Sequence, residues 1–133
     1  MSLQILPEPT FKTKLPDMSI VLEDCYGEIE YLNEIITLFK ESIAEYVEQT
    51  AFFISSYDFT GIYMTSHKVK VGLELMRAFG LLELVLQMEQ LSYYKENMGN
   101  IIKLFNLFVS EYPLVIRSIE MQQSRLQHNP VAC

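Results

Sequence analysis

The sequence predicts an all-α domain: an antiparallel up-down four-helix bundle with a short extra helix and an extended arm at its N-terminal end. Three observations predict it. Apolar residues recur at three- and four-residue steps through most of the chain, and no stretch alternates as a strand would. Half of the 133 residues are apolar while glycine and proline number five each, a composition that suits ordered helices and not a disordered polymer. Four long periodic segments are joined by short connections, which favours antiparallel neighbours. The length predicts one domain, divided into an arm (1–16), a helical body (17–126) and a flexible tail (127–133).

Each element has its own local reason. Pro7, Pro9 and Pro16 leave the arm without an apolar period. Asp17 or Ser19 is placed to cap a short helix over Met18–Tyr26, which Gly27 ends. The segment 28–56 is the clearest helix: Ile29, Leu32, Ile35, Ile36, Phe39, Ile43, Val47 and Ile54 share a face, and Glu28 and Glu30 suit its positive end. Asp58 and Thr60 supply a turn and a cap for a helix that runs to Phe79. Gly80 marks a bend, and Leu81, Leu84, Met88 and Leu91 stripe the next helix to Tyr94. After the loop 97–100 comes a last helix carrying Ile101, Leu104, Phe105, Phe108, Tyr112, Val115 and Ile119. Pro113 lies inside it and is expected to kink it, because it removes the bond to the Val109 carbonyl.

Totals exclude several functions. The formal net charge is −7, and no basic stripe of the kind a nucleic-acid partner requires is visible. Cys25 and Cys133 do not make a disulfide framework. The first residues lack the basic and apolar regions of a signal peptide. No apolar run approaches the roughly 18 residues of a membrane span. A cytoplasmic protein, monomeric and without a membrane or nucleic-acid partner, is the expectation. A carboxylate-bridged di-metal bundle would need Glu-x-x-His pairs, but Met64 and Arg125 stand three residues before His67 and His128. No metal or other cofactor is therefore expected on this chain. His128, in the tail beside Pro130, is read as inert. The acidic residues Glu28, Glu30, Glu34, Glu41, Glu45 and Glu48 read as a solvated helix face, the methionines as core filling, and Tyr93–Tyr94 as a packing pair at a helix end.

One residue stands apart. An ideal helix turns about 100° per residue, which puts Ile62, Val69, Leu73 and Met76 on the core side of the segment after Asp58. His67 falls on the opposite side with Thr60, Tyr63, Met64, Lys70, Val71 and Glu74. An imidazole, whose ordinary pKa is ~6.5, offers a neutral nucleophilic nitrogen at physiological pH. Lys70, one turn on, can supply a point cation for an added phosphoryl group.

In this order the features resemble the histidine-containing phosphotransfer (HPt) family. Asp58 precedes His67 by nine residues. His67-Lys68-Val69-Lys70 matches the first four positions of the family's H-x-L-K-G motif, and Leu81, Leu84 and the pair Met88–Glu89 fall on its leucine ladder. The segment from Gly27 to Phe39 is similar to the family's first bundle helix, and the likeness spans about Gly27 to Leu126. It departs at Val71, where the family has a glycine that keeps the histidine open to a docking partner. The later family glycine falls on Arg77.

The resemblance implies that Nε2 of His67 accepts a phosphoryl group from the aspartate of a response-regulator receiver domain and passes it to a second receiver. A hybrid histidine kinase stands upstream, and Mg²⁺ is supplied by the receiver. Lys70 would stabilise charge on the phosphoryl oxygens, while Tyr63, Met64, Lys68, Val71 and Glu74 would form the docking surface. Two alternatives remain open: a module of the same shape that binds a receiver or kinase without transfer, and a helical bundle unconnected with relays. A histidine-kinase dimerisation helix is disfavoured, since Lys68 follows the histidine, no proline comes after it before Pro113, and the chain has no glycine-rich phosphate loop.

Overall fold

A computed structural model describes residues 15–128. These residues form five helices, and none of them is in a strand: α1 (Met18–Asp24), α2 (Ile29–Ser55), α3 (Phe59–Leu75), α4 (Phe79–Tyr93) and α5 (Met98–His128). α2 packs on α3, α3 on α4, α4 on α5 and α5 back on α2, while α1 rests against α2 and α5. Most of the arm, residues 1–14, lies outside the described residues. Of the rest, Pro16 is buried and its carbonyl accepts a hydrogen bond from the Gln122 side chain of α5 at 2.9 Å. The last helix continues through Gln127 and His128, two residues into the expected tail.

The helix starts follow the expected chemistry. Asp17 caps α1 by accepting from the Ser19 N–H, and Asp58 caps α3 by accepting from the Gly61 N–H at 2.9 Å. The Asn97 side chain does the same for Asn100 in the first turn of α5. Gly61 is required by packing, because a Cβ there would run into the ring of Phe53.

The helix ends are where structure and sequence part. α1 to α4 all close with the same pair of bonds: the residue after the C-cap donates to the third-last carbonyl before it, and the next residue to the carbonyl one position earlier still. At α3 these are Arg77 N–H to Glu74 C=O (3.0 Å) and Ala78 N–H to Leu73 C=O (2.9 Å). This double closure needs one left-handed residue, usually glycine. Here the four positions are Tyr26, Tyr57, Arg77 and Lys95, with φ between 54° and 58°. The expected bend at Gly80 is thus displaced to Arg77, and Gly80 is a buried residue of the first turn of α4. α5 passes through Pro113 as one continuous helix.

The core runs the length of the domain. Tyr46, Phe108, Leu32, Ile36, Ile43, Ile62, Leu73, Met76, Leu81, Met88 and Ile101 are all essentially inaccessible, and Met18 of α1 closes one end. Tyr46 meets Phe108 edge-on with ring centroids 5.0 Å apart, a favoured aromatic geometry. No helix among the described residues is long and apolar enough to cross a membrane.

Candidate functional site

α3 presents its two faces as the helical arithmetic requires. Ile62, Val69 and Leu73 are buried, with Thr65 and Ser66 beside them, and His67 points outward with its side chain 62% exposed. Val71, one turn on, is itself well exposed and stands on the surface beside a ring that solvent reaches.

The partner of His67 comes from the neighbouring helix. Glu89 of α4 places Oε2 at 2.8 Å from His67 Nδ1 and Oε1 at 3.0 Å from the Lys70 ammonium. Glu89 is only 13% exposed, Lys70 26%. Burial on its own would raise the Glu89 carboxyl, but hydrogen bonds from His67 and Lys70, with their charges, outweigh it and hold the group below the ordinary carboxylate range. An ionised carboxylate can only accept a hydrogen bond. A neutral His67 bonded to it therefore carries its proton on Nδ1 and keeps the Nε2 lone pair free. Among the described residues nothing hydrogen-bonds to Nε2.

Aromatic groups frame this ring. Tyr63 stacks on His67 at 5.8 Å with an interplanar angle of 21°, and Tyr93 lies 5.5 Å from Tyr63. With Tyr94, Gln90, Lys70 and Glu89 they line an open depression of about 480 Å³. Beneath α3 the phenol of Tyr46 donates to Met88 Sδ at 3.6 Å. Burial pushes that phenol up to about 12, with the Ser66 and Thr50 hydroxyls alongside pulling the other way. Neither hydroxyl reaches hydrogen-bond geometry with any described residue.

Of the residues singled out in the sequence, His67, Lys70 and Tyr63 converge on this depression. Met64, Val71 and Glu74 are exposed on the outer side of α3. Lys68 leans toward α2, 3.5 Å from Glu45. Lys70, expected to offer a point cation, is paired with Glu89 at 3.0 Å. Glu89 itself was legible only as the end of the leucine ladder, and Tyr93 and Tyr94 line the depression besides packing edge-on against each other. Among the described residues His128 bonds only to the Ser124 carbonyl one turn back. No group of three or more His, Cys, Asp or Glu among the described residues could hold a metal ion.

The arrangement can do one thing readily: present the outward Nε2 of an imidazole whose Nδ1 is paired with a carboxylate to an electrophile arriving from solvent, with an ammonium within one helical turn. Compared with protein-family models, with curated proteins and with solved structures, the chain matches none.

Proposed function

We propose that this chain is a histidine phosphocarrier of the HPt type, which takes a phosphoryl group on His67 Nε2 from a receiver-domain aspartate and gives it to another receiver. The observation that carries the reading is the pairing of His67 Nδ1 with Glu89 at 2.8 Å, which leaves Nε2 as the outward nucleophile of an exposed ring. The lone pair of Nε2 attacks phosphorus in line. The N–P bond forms as the aspartyl O–P bond breaks, and the carboxylate stays on the receiver. Positioning and electrostatics supply most of the catalysis in such transfers, and the receiver brings the Mg²⁺. Lys70 would turn from Glu89 Oε1 toward the phosphoryl oxygens as they arrive. Tyr63, Met64, Lys68, Val71 and Glu74 would meet the receiver, and a hybrid histidine kinase would stand upstream. The closed circuit of contacts among α2, α3, α4 and α5 supports the up-down four-helix arrangement this reading assumes.

A second reading is favoured by the state of Lys70. The cation that a transferred phosphoryl group needs is held by Glu89, as would suit a module that binds a receiver or kinase without accepting phosphate. Incubation with phosphorylated receivers, Mg²⁺ and intact-mass analysis separates the two. Carrier function requires an acid-labile phosphoryl adduct on the wild type and none on His67→Gln. Receiver binding with no adduct from a broad receiver panel would replace the carrier with the docking module.

A further inference from the structure

Two exposed helix faces away from His67 are complementary in charge and spacing. On α2, Leu38 is 63% exposed, with Glu34 and Glu41 on either side of it along the same face. These residues, with Glu30 and Thr37, line a shallow groove of about 520 Å³. On α5, Met121 is 55% exposed between Arg117 and Arg125, in an apolar groove of about 550 Å³ that Leu114 and Leu15 complete. Among the described residues none of these two glutamates and two arginines forms an ion pair.

The spacings match. At about 1.5 Å per residue, Glu34 and Glu41 lie roughly 10 Å apart along their helix and Arg117 and Arg125 roughly 12 Å apart along theirs. Leu38 sits between the first pair as Met121 sits between the second. One helix offers acid–leucine–acid and the other arginine–methionine–arginine. Within one molecule α2 and α5 already face each other through Lys40–Glu120 (2.8 Å) and Asn33–Gln123 (2.8 Å), with Asn33 at the edge of the α2 groove, and no ion pair among the described residues joins either arginine to either glutamate.

We propose that the occupant of the α5 groove is the α2 face of a second copy of this chain, with Leu38 over Met121 and the two glutamates on the two arginines. Self-pairing of α5 with α5 would set arginine against arginine, so the contact runs from α2 of one copy to α5 of the other, either once in an open head-to-tail chain or twice in a closed two-fold dimer. The net charge of −7 opposes it at long range, and exposed ion pairs contribute little each. The association is therefore weak and salt-dependent. It replaces the expected monomer with a concentration-dependent equilibrium, and it does not depend on what His67 does.

Sedimentation velocity over a concentration series tests it. The series is run at about 50 mM and about 500 mM NaCl, where the Debye length falls from roughly 14 Å to roughly 4 Å. The wild type is expected to gain weight-average mass with concentration at low salt and to return to 15.5 kDa at high salt. Arg117→Glu with Arg125→Glu, and separately Glu34→Lys with Glu41→Lys, are expected to stay monomeric alone and to associate when mixed, because each supplies the charges the other lost. Circular dichroism establishes that both variants fold. A wild type that is monomeric throughout, variants that associate as well as the wild type, or a mixture that stays monomeric while the wild type associates would each overturn the proposal.

Discussion

Glu89 decides what His67 can do. Its carboxylate meets two partners, His67 and Lys70, on a side chain only 13% exposed, and in the proposed carrier it leaves Nε2 as the nitrogen that faces an incoming receiver. Its lowered carboxyl has a consequence for stability. A carboxylate whose folded pKa lies below its ordinary value contributes stability above that value and loses it as acid protonates the folded form. The Glu89 contribution is therefore complete above about its ordinary 4.5 and disappears as the pH falls below it. Denaturant titrations at a series of pH values should show wild type more stable than Glu89→Gln near neutrality, with the gap closing below that point. A gap that widens in acid would contradict the assignment. Val71 makes a second case. Because His67 is exposed with valine in place, Val71→Gly should leave the rate of phosphoryl acceptance within about twofold while costing about 0.5 kcal/mol of helix stability, read from transfer kinetics and thermal melts. The face of His67 was legible from its position relative to Ile62, Val69 and Leu73. Its partner was not, since Glu89 lies on the next helix and only packing brings the two together.

At the scale of the elements, starts were easier to read than stops. Asp17 and Asp58 are strong N-cap residues and both perform that role. The stops rely on a left-handed residue, and the sequence places tyrosine, arginine or lysine where glycine is the usual signal. That is why Gly80 drew the expected bend three residues too late. A non-glycine residue costs about 1–2 kcal/mol in this conformation, partly offset by the freedom glycine has when unfolded. Tyr26, 90% exposed, has little side-chain packing to lose, so Tyr26→Gly is expected to stabilise the protein by about 0.5–1 kcal/mol in chemical denaturation. Destabilisation by that substitution would mean the tyrosine ring has a partner.

For the whole molecule, composition and periodicity sufficed for an all-helical domain because every long helix buries one apolar stripe in a shared core. Tyr46 of α2, Met88 of α4 and Phe108 of α5 meet there, so distant parts of the chain should unfold together. Phe108→Ala is expected to cost about 3–5 kcal/mol. Circular dichroism and tyrosine fluorescence should then report one coincident transition in both wild type and variant. Separate transitions would show that α5 melts independently. The charge-matched grooves on α2 and α5 were hidden in the sequence for the opposite reason: each stripe reads as an ordinary solvated face until the fold shows both unpartnered.

The central claim is that Glu89 fixes His67 so that Nε2 is the nucleophile. Two-dimensional ¹H–¹⁵N spectra of the imidazole ring, taken before and after addition of a phosphorylated receiver domain with Mg²⁺, test it in one sample. The account requires the Nδ1–H tautomer beforehand and phosphorus on Nε2 afterwards. A ring that starts with its proton on Nε2, takes phosphorus on Nδ1, or shows no change with a receiver that binds would contradict it.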